Sequence, residues 1–210
     1  MKKPLVIGLI LLLFLTGCKS TNNLPVQYKP NDELVVLAHG LGRSDWAMRY
    51  FAQQLKRAHY KVCSLNYASL GQSVEAVFTQ TTTQINACIA NASKVHFVGH
   101  SLGGLVIRAY LQNNPRVFNG NTLENVVLIG TPNKGSELAN HLNGSWLMHI
   151  AGGVSQSLIT GSKSLGNTIN ELDIDLGVIA GAKASTLTQH YFKGKNDGLV
   201  SVESTKLRAC

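Results

Sequence analysis

The sequence predicts an α/β fold with a mostly parallel sheet and helices on both faces. Continuous apolar runs such as Leu34–Ala38 and Val95–Val98 read as strands buried on both faces, not as alternating half-wet ones. Segments of helical apolar period separate these runs, so strands and helices alternate along the chain. The chain has 210 residues, 44% hydrophobic and 14% charged, which suits one globular domain with a sizeable core and excludes a disordered chain. Its 20 glycines suggest tight loops at strand ends.

In order, Leu34–Ala38 is the first clear strand, ending in His39-Gly40-Leu41-Gly42. Asp45–Ala58 follows as a helix with Trp46, Tyr50, Phe51 and Leu55 in helical period, capped by Ser44 or Asp45. Tyr60–Tyr67 alternates like a strand. Ser73–Ala92 is helical, with Val74, Val77, Ile85 and Ile89 on an inner face. Val95–Val98 is the next strand, and Leu102–Gln112 the next helix, stopped at Asn114-Pro115. Asn125–Ile129 and Ile174–Ala180 are further buried strands. Residues 136–170 are rich in Gly, Ser and Asn and predict short helices and loops near a substrate entrance.

The N-terminus reads as an address. Lys2-Lys3 precede an apolar stretch from Leu5 to Leu15, too short to span a bilayer comfortably, and then Leu15-Thr16-Gly17-Cys18. This order resembles the lipobox of bacterial lipoproteins. The resemblance implies cleavage before Cys18 and acylation of Cys18, with several acyl chains giving stable anchoring where one does not. The alternative is an ordinary secretory signal with a chance cysteine, or an uncleaved anchor helix. The expected division is a signal at 1–17, a tether at 18–33 containing Pro25 and Pro30, and the folded domain at 34–210. Lys19, where an aspartate would retain an enteric-type lipoprotein in the inner membrane, points to the periplasmic side of an outer membrane if the organism has one.

The net charge of +8 includes Lys2 and Lys3, and the other basic residues form no run of four. That argues against nucleic acid as a partner and for mild attraction to an anionic membrane surface. Cys63 and Cys88 fit either a disulfide in an oxidising compartment or two buried thiols. No cysteine or histidine spacing suits a metal, no cofactor is expected, and nothing in the sequence sets the oligomeric state.

Gly99-His100-Ser101-Leu102-Gly103 carries the chemistry. A serine hydroxyl is a poor nucleophile and must be presented to a base, clear of the chain. A sharp strand-to-helix turn does this, and Gly99 and Gly103 relieve the crowding it causes. His39–Gly42 follows the first strand, so the Leu41 and Leu102 amides are candidates for an oxyanion hole. His39 is a candidate only for shaping that loop.

These residues, with Gly130-Thr131-Pro132-Asn133-Lys134-Gly135-Ser136 and Asn196-Asp197-Gly198-Leu199-Val200-Ser201-Val202-Glu203-Ser204, resemble the lipase and esterase branch of the α/β-hydrolases over roughly Leu34 to Leu207. The third segment is similar to the G-T-P-x-x-G loop of lipases and lacks the pattern of a nucleotide site. The resemblance implies Ser101 as nucleophile, Asp197 as the acid that orients a histidine, and a carboxylic ester as substrate. Asn-Asp-Gly is also a good turn sequence in its own right.

The order in that fold is Ser, acid, His, yet no histidine follows Asp197. His190, His141 and His149 are poor substitutes by position, His100 is expected to point away from the site, and His59 and His96 read as structural. The sequence offers no segment for the family's last strand and helix, so a C-terminal truncation is the expectation. Two readings follow: a serine hydrolase of acyl lipids or short esters, or a truncated, inactive lipoprotein that keeps the fold.

Overall fold

A computed structural model describes residues 32–115, 122–145 and 152–207. The expected signal, Cys18 and most of the tether lie outside the described residues, as do His149 and Cys210.

Five strands form one sheet: β1 (Glu33–Ala38), β2 (Lys61–Ser64), β3 (Lys94–His100), β4 (Thr122–Ile129) and β5 (Leu176–Ile179). Their order is β2-β1-β3-β4-β5, and every neighbouring pair is parallel. The predicted parallel α/β sheet is thus present. The longer helices are α1 (Arg49–Arg57), α2 (Val74–Ile89) and α3 (Leu102–Asn113). Short helices follow at α4 (Glu137–Leu142), α5 (Gly153–Ser157), α6 (Leu165–Thr168) and α7 (Val202–Thr205).

Strand alternation divides the core in two, because successive side chains leave opposite faces of the sheet. Leu34, Val36, Phe97 and Leu128 point to the side covered by α2 and α3. Val35, Leu37 and Val98 point to the other side, where Met48 and, from α1, Ala52 and Leu55 cover them. Helix α3 is buried from Leu102 through Leu111, so it sits inside the domain rather than on it. Its apolar surface on all sides has that as its physical reason.

Four expectations shift, the first being the strand expected buried at Ile174–Ala180, which is the shorter β5 with three of its four residues exposed. The helix expected at 45–58 opens as a 3-10 turn over Asp45–Met48, and Ser44 makes no side-chain cap. Strand β2 stops at Ser64, short of Tyr67. The apolar alternation continues past it because Leu65 and Tyr67 are buried in the following loop, not in the sheet. Strand β4 begins at Thr122, three residues early, and of its first four residues only Leu123 is apolar while the other three are exposed. Cys63 of β2 and Cys88 of α2 are joined as a disulfide with a Cα–Cα separation of 6.2 Å, which resolves the alternative left open by the sequence.

Candidate active site

Ser101 joins β3 to α3 with φ 52° and ψ −122°. A non-glycine residue there is strained by on the order of 1–3 kcal/mol, and only a tightly packed setting holds it. That setting is a set of close approaches. A Cβ at Gly103 would lie 2.2 Å from the Ala38 carbonyl oxygen, and one at Gly104 would lie 2.0 Å from Thr131 Oγ1. At Gly99 it would meet Gly104 at 2.5 Å. The turn therefore needs all three glycines. Gly99 and Gly103 were legible as elbow residues. Gly104 was not, since its constraint comes from the distant Thr131. The Ser101 amide donates to the Ile129 carbonyl at 2.9 Å, fixing the turn to the end of β4.

The 39–42 loop is held by the segment that follows β2. Tyr67 donates its hydroxyl proton to the His39 carbonyl, and its ring stacks on the His39 imidazole at 4.0 Å. Ser69 Oγ accepts the Gly42 amide at 2.9 Å. Leu41, between these two tethers, keeps its amide off every described backbone carbonyl, and so does Leu102. A Cβ on Gly40 would lie 3.2 Å from Ser101 Cβ, so the loop runs against the serine. Sequence reasoning found this loop but missed Tyr67 and Ser69, which lie some 27 residues away and carry no motif.

His39 itself is fully buried. Its Nδ1 meets the Gly40 carbonyl at 2.9 Å, and a carbonyl only accepts, so Nδ1 carries a proton. Its Nε2 has no partner among the described residues. Burial holds the imidazole below its ordinary value of 6.5.

Asp197 stands over the ends of β4 and β5. A Cβ at Gly130 would lie 3.4 Å from its Oδ2, and one at Gly181 would lie 2.6 Å from its Cβ. Its Oδ1 accepts the amides of Leu199 (2.9 Å) and Val200 (2.8 Å), so the turn-forming reading of Asn-Asp-Gly also holds. The loop is braced from the Gly130–Ser136 segment. Ser136 Oγ donates to the Leu199 carbonyl at 2.7 Å, and Ser204 Oγ donates to the Gly135 carbonyl. The two motifs quoted separately from the sequence are one interlocked structure.

Arg108 completes the bracing. It is buried in α3 and donates to Asn133 Oδ1, the Gly166 carbonyl and the Ile169 carbonyl at 3.0–3.1 Å. Burial lowers its basicity to about 10. A lone charge in the apolar run Leu105-Val106-Ile107-Arg108-Ala109 was the signal that could have found it.

The histidines divide by position. His96 pairs with Glu33 and Asn125 at the far end of β3, and His59 closes α1, so both are structural as expected. His141 and His190 each pack on Tyr191, at ring separations of 4.0 and 3.8 Å. His100 does not point away, which corrects the expectation. Its Nδ1 would lie 3.1 Å from a Cβ on Gly40, the same atom that Ser101 approaches. His100 is the last residue of β3 and pairs with Ile129 of β4. Burial lowers its basicity and the negative charge of Asp197 opposes that. Among the described residues, no histidine is hydrogen-bonded to Ser101 or Asp197.

A parallel sheet whose serine-bearing strand-to-helix turn meets a glycine loop from the neighbouring strand defines an α/β-hydrolase. The chain belongs to the palmitoyl protein thioesterase family, whose profile matches residues 34–193. Among solved structures it is similar to the Bacillus licheniformis lipase BlEst2 in mature form, with a TM-score of 0.69 and 22% identity over 88% of this chain and 83% of that one. The propeptide form of that lipase matches with a TM-score of 0.66 and 20% identity, over 87% of this chain and 45% of that one. Phospholipase PlaB from Legionella pneumophila matches with a TM-score of 0.64 and 17% identity, over 83% and 45%. The chain thus spans less than half the length of the last two. At these identities the likeness is one of fold. No curated protein sequence matches.

Two outcomes follow from the 39–42 loop. Tyr67→Phe removes the donor to a buried carbonyl, and hydrogen exchange at the Gly42 amide should rise on the order of tenfold. Unchanged exchange would mean that Tyr67 does not hold the loop. Burial makes folded His39 take its proton at a lower pH than the unfolded imidazole, whose ordinary value is 6.5. Its contribution is therefore present above that pH and lost as pH falls through the lower folded value. Thermal melts from pH 7 downward should show acid destabilisation that is shallower in His39→Asn.

Proposed function

We propose that the chain is a serine hydrolase of the lipase and esterase type, held at a membrane, that cleaves carboxylic esters of acyl lipids or short acyl groups. The observation that carries this reading is Ser101, strained at φ 52° at the head of α3, against a glycine loop whose Leu41 amide is bonded to no described backbone carbonyl. Ser101 Oγ attacks the acyl carbonyl and its proton leaves to a base. The carbonyl oxygen, now negative, is held by the Leu41 and Leu102 amides, aided by the positive end of α3. The ester oxygen takes a proton as it leaves, and water then releases the acyl group from Ser101. Thioesters share this chemistry, and the family name keeps them within the substrate class.

Asp197 is assigned the role of acid, stabilising a positively charged imidazole. His100 is the described imidazole that shares a wall with Ser101 and feels the charge of Asp197. The membrane attachment is assigned to acylated Cys18, which puts the domain in the cell envelope, at the periplasmic side of an outer membrane where one exists. The order of positive, apolar and small residues before Cys18 supports that assignment.

A second reading, a chain that keeps the hydrolase fold without turnover, is favoured by one observation: no described histidine is bonded to Ser101 or Asp197. A serine without its base should turn over on the order of a millionfold more slowly. A fluorophosphonate probe separates the two readings. The hydrolase reading predicts stoichiometric labelling that is lost in Ser101→Ala and strongly slowed in His100→Asn. Labelling of wild type no faster than of Ser101→Ala would leave the idle chain as the correct reading.

A further inference from the structure

The outer face of the first helical segment has no role in the chemistry above. Trp46 of the 3-10 turn and Tyr50 of α1 are 70% and 75% exposed, and Phe51 beside them is 38% exposed. Leu70, 53% exposed, lies against Gly42 and extends this apolar surface toward the 39–42 loop. Scattered exposed leucines need no explanation, but large aromatic rings left open side by side do. The opposite side of the same segment is fully used: Met48, Ala52 and Leu55 pack on the sheet. The aromatic residues are therefore surplus to folding.

The charge around them has one sign. Arg43, Arg49, Lys56 and Arg57 are all exposed, and Asp45 is the one acidic residue between positions 43 and 57. The Arg49 guanidinium sits 4.6 Å above the Trp46 ring. Aromatic rings beside arginines fit a membrane boundary, where rings lie at the level of the headgroups and cations meet anionic phosphates. A protein partner would need an acidic, apolar counterpart, whereas an anionic bilayer supplies both features without one.

We propose that this face, centred on Trp46 and Tyr50, rests on a lipid surface carrying anionic headgroups. The inference goes beyond attachment through Cys18, since a tether keeps a domain near a membrane without orienting it. The 3-10 turn follows directly from the 39–42 loop, so docking there turns the rim beside Ser101 toward the lipid. The contact is independent of turnover, and its test reads geometry alone.

The experiment uses the full chain on vesicles of phosphatidylcholine with or without phosphatidylglycerol, made with brominated acyl chains. In a Trp146→Phe background Trp46 is the only tryptophan. Its emission should shift to the blue and be quenched about twofold on the anionic vesicles, less on the neutral ones. Should that background fail to fold, the difference between wild type and Trp46→Phe reads the same signal. Because the N-terminal segment can itself bind vesicles, co-sedimentation is not the readout. Arg43→Gln with Arg49→Gln should remove the preference for anionic lipid. Trp46 emission unchanged on both vesicle types, or quenching equal on both and indifferent to the arginines, would overturn the proposal.

Discussion

The packing of the Gly99–Gly104 turn into the sheet constrains the rest of this molecule. Gly103 leaves no room for a side chain beside the Ala38 carbonyl, and Gly104 leaves none beside Thr131. With its helix pressed that close, the chain can leave β3 only by forcing Ser101 to positive φ. The strain is repaid by burial of nearly the whole of α3, whose residues from Leu102 to Leu111 are covered on every side. Thr131 ties the elbow to the Gly130–Ser136 segment, which in turn braces the loop bearing Asp197. The Ala38 contact ties it to the loop bearing Leu41. Ser101, Leu41 and Asp197 are thus positioned by one steric arrangement seen from three strands.

The supports around this turn are chemically diverse but share a logic. Each loop at the site is anchored by a side chain from elsewhere in the sequence. Tyr67 and Ser69 hold the 39–42 loop, Ser136 and Ser204 lock the Asp197 segment, and Arg108 gathers the carbonyls of Gly166 and Ile169 beneath it. Irregular backbone carries polar groups that must be satisfied when buried. These side chains do so where no neighbouring strand can. The buried Arg108 has no described carboxylate bonded to it, and carbonyl oxygens take that place.

Much of this was legible in the sequence for a physical reason. Burial on both faces writes strands as continuous apolar runs, so β1 and the centre of β3 were found within a residue or two. Local steric rules write the turn between β3 and α3 as spaced glycines, so its place in the chain was legible. The features that escaped depend on contacts between distant segments. Tyr67 was taken for the end of a strand because its alternation reports burial without saying against what. The start of β4 was hidden because Thr122–Asn125 face solvent for half their length. His100 was expected to point outward because residue spacing alone does not show that a strand edge turns its ring onto Gly40.

The central claim is that Ser101 and the Leu41 and Leu102 amides form one reactive unit. A crystal structure of the protein after reaction with an alkyl fluorophosphonate tests it most directly. The account predicts phosphorus bonded to Ser101 Oγ, with the phosphoryl oxygen within hydrogen-bond distance of both amides, about 2.7–3.1 Å. An adduct whose phosphoryl oxygen faces solvent, with either amide turned away, would contradict it.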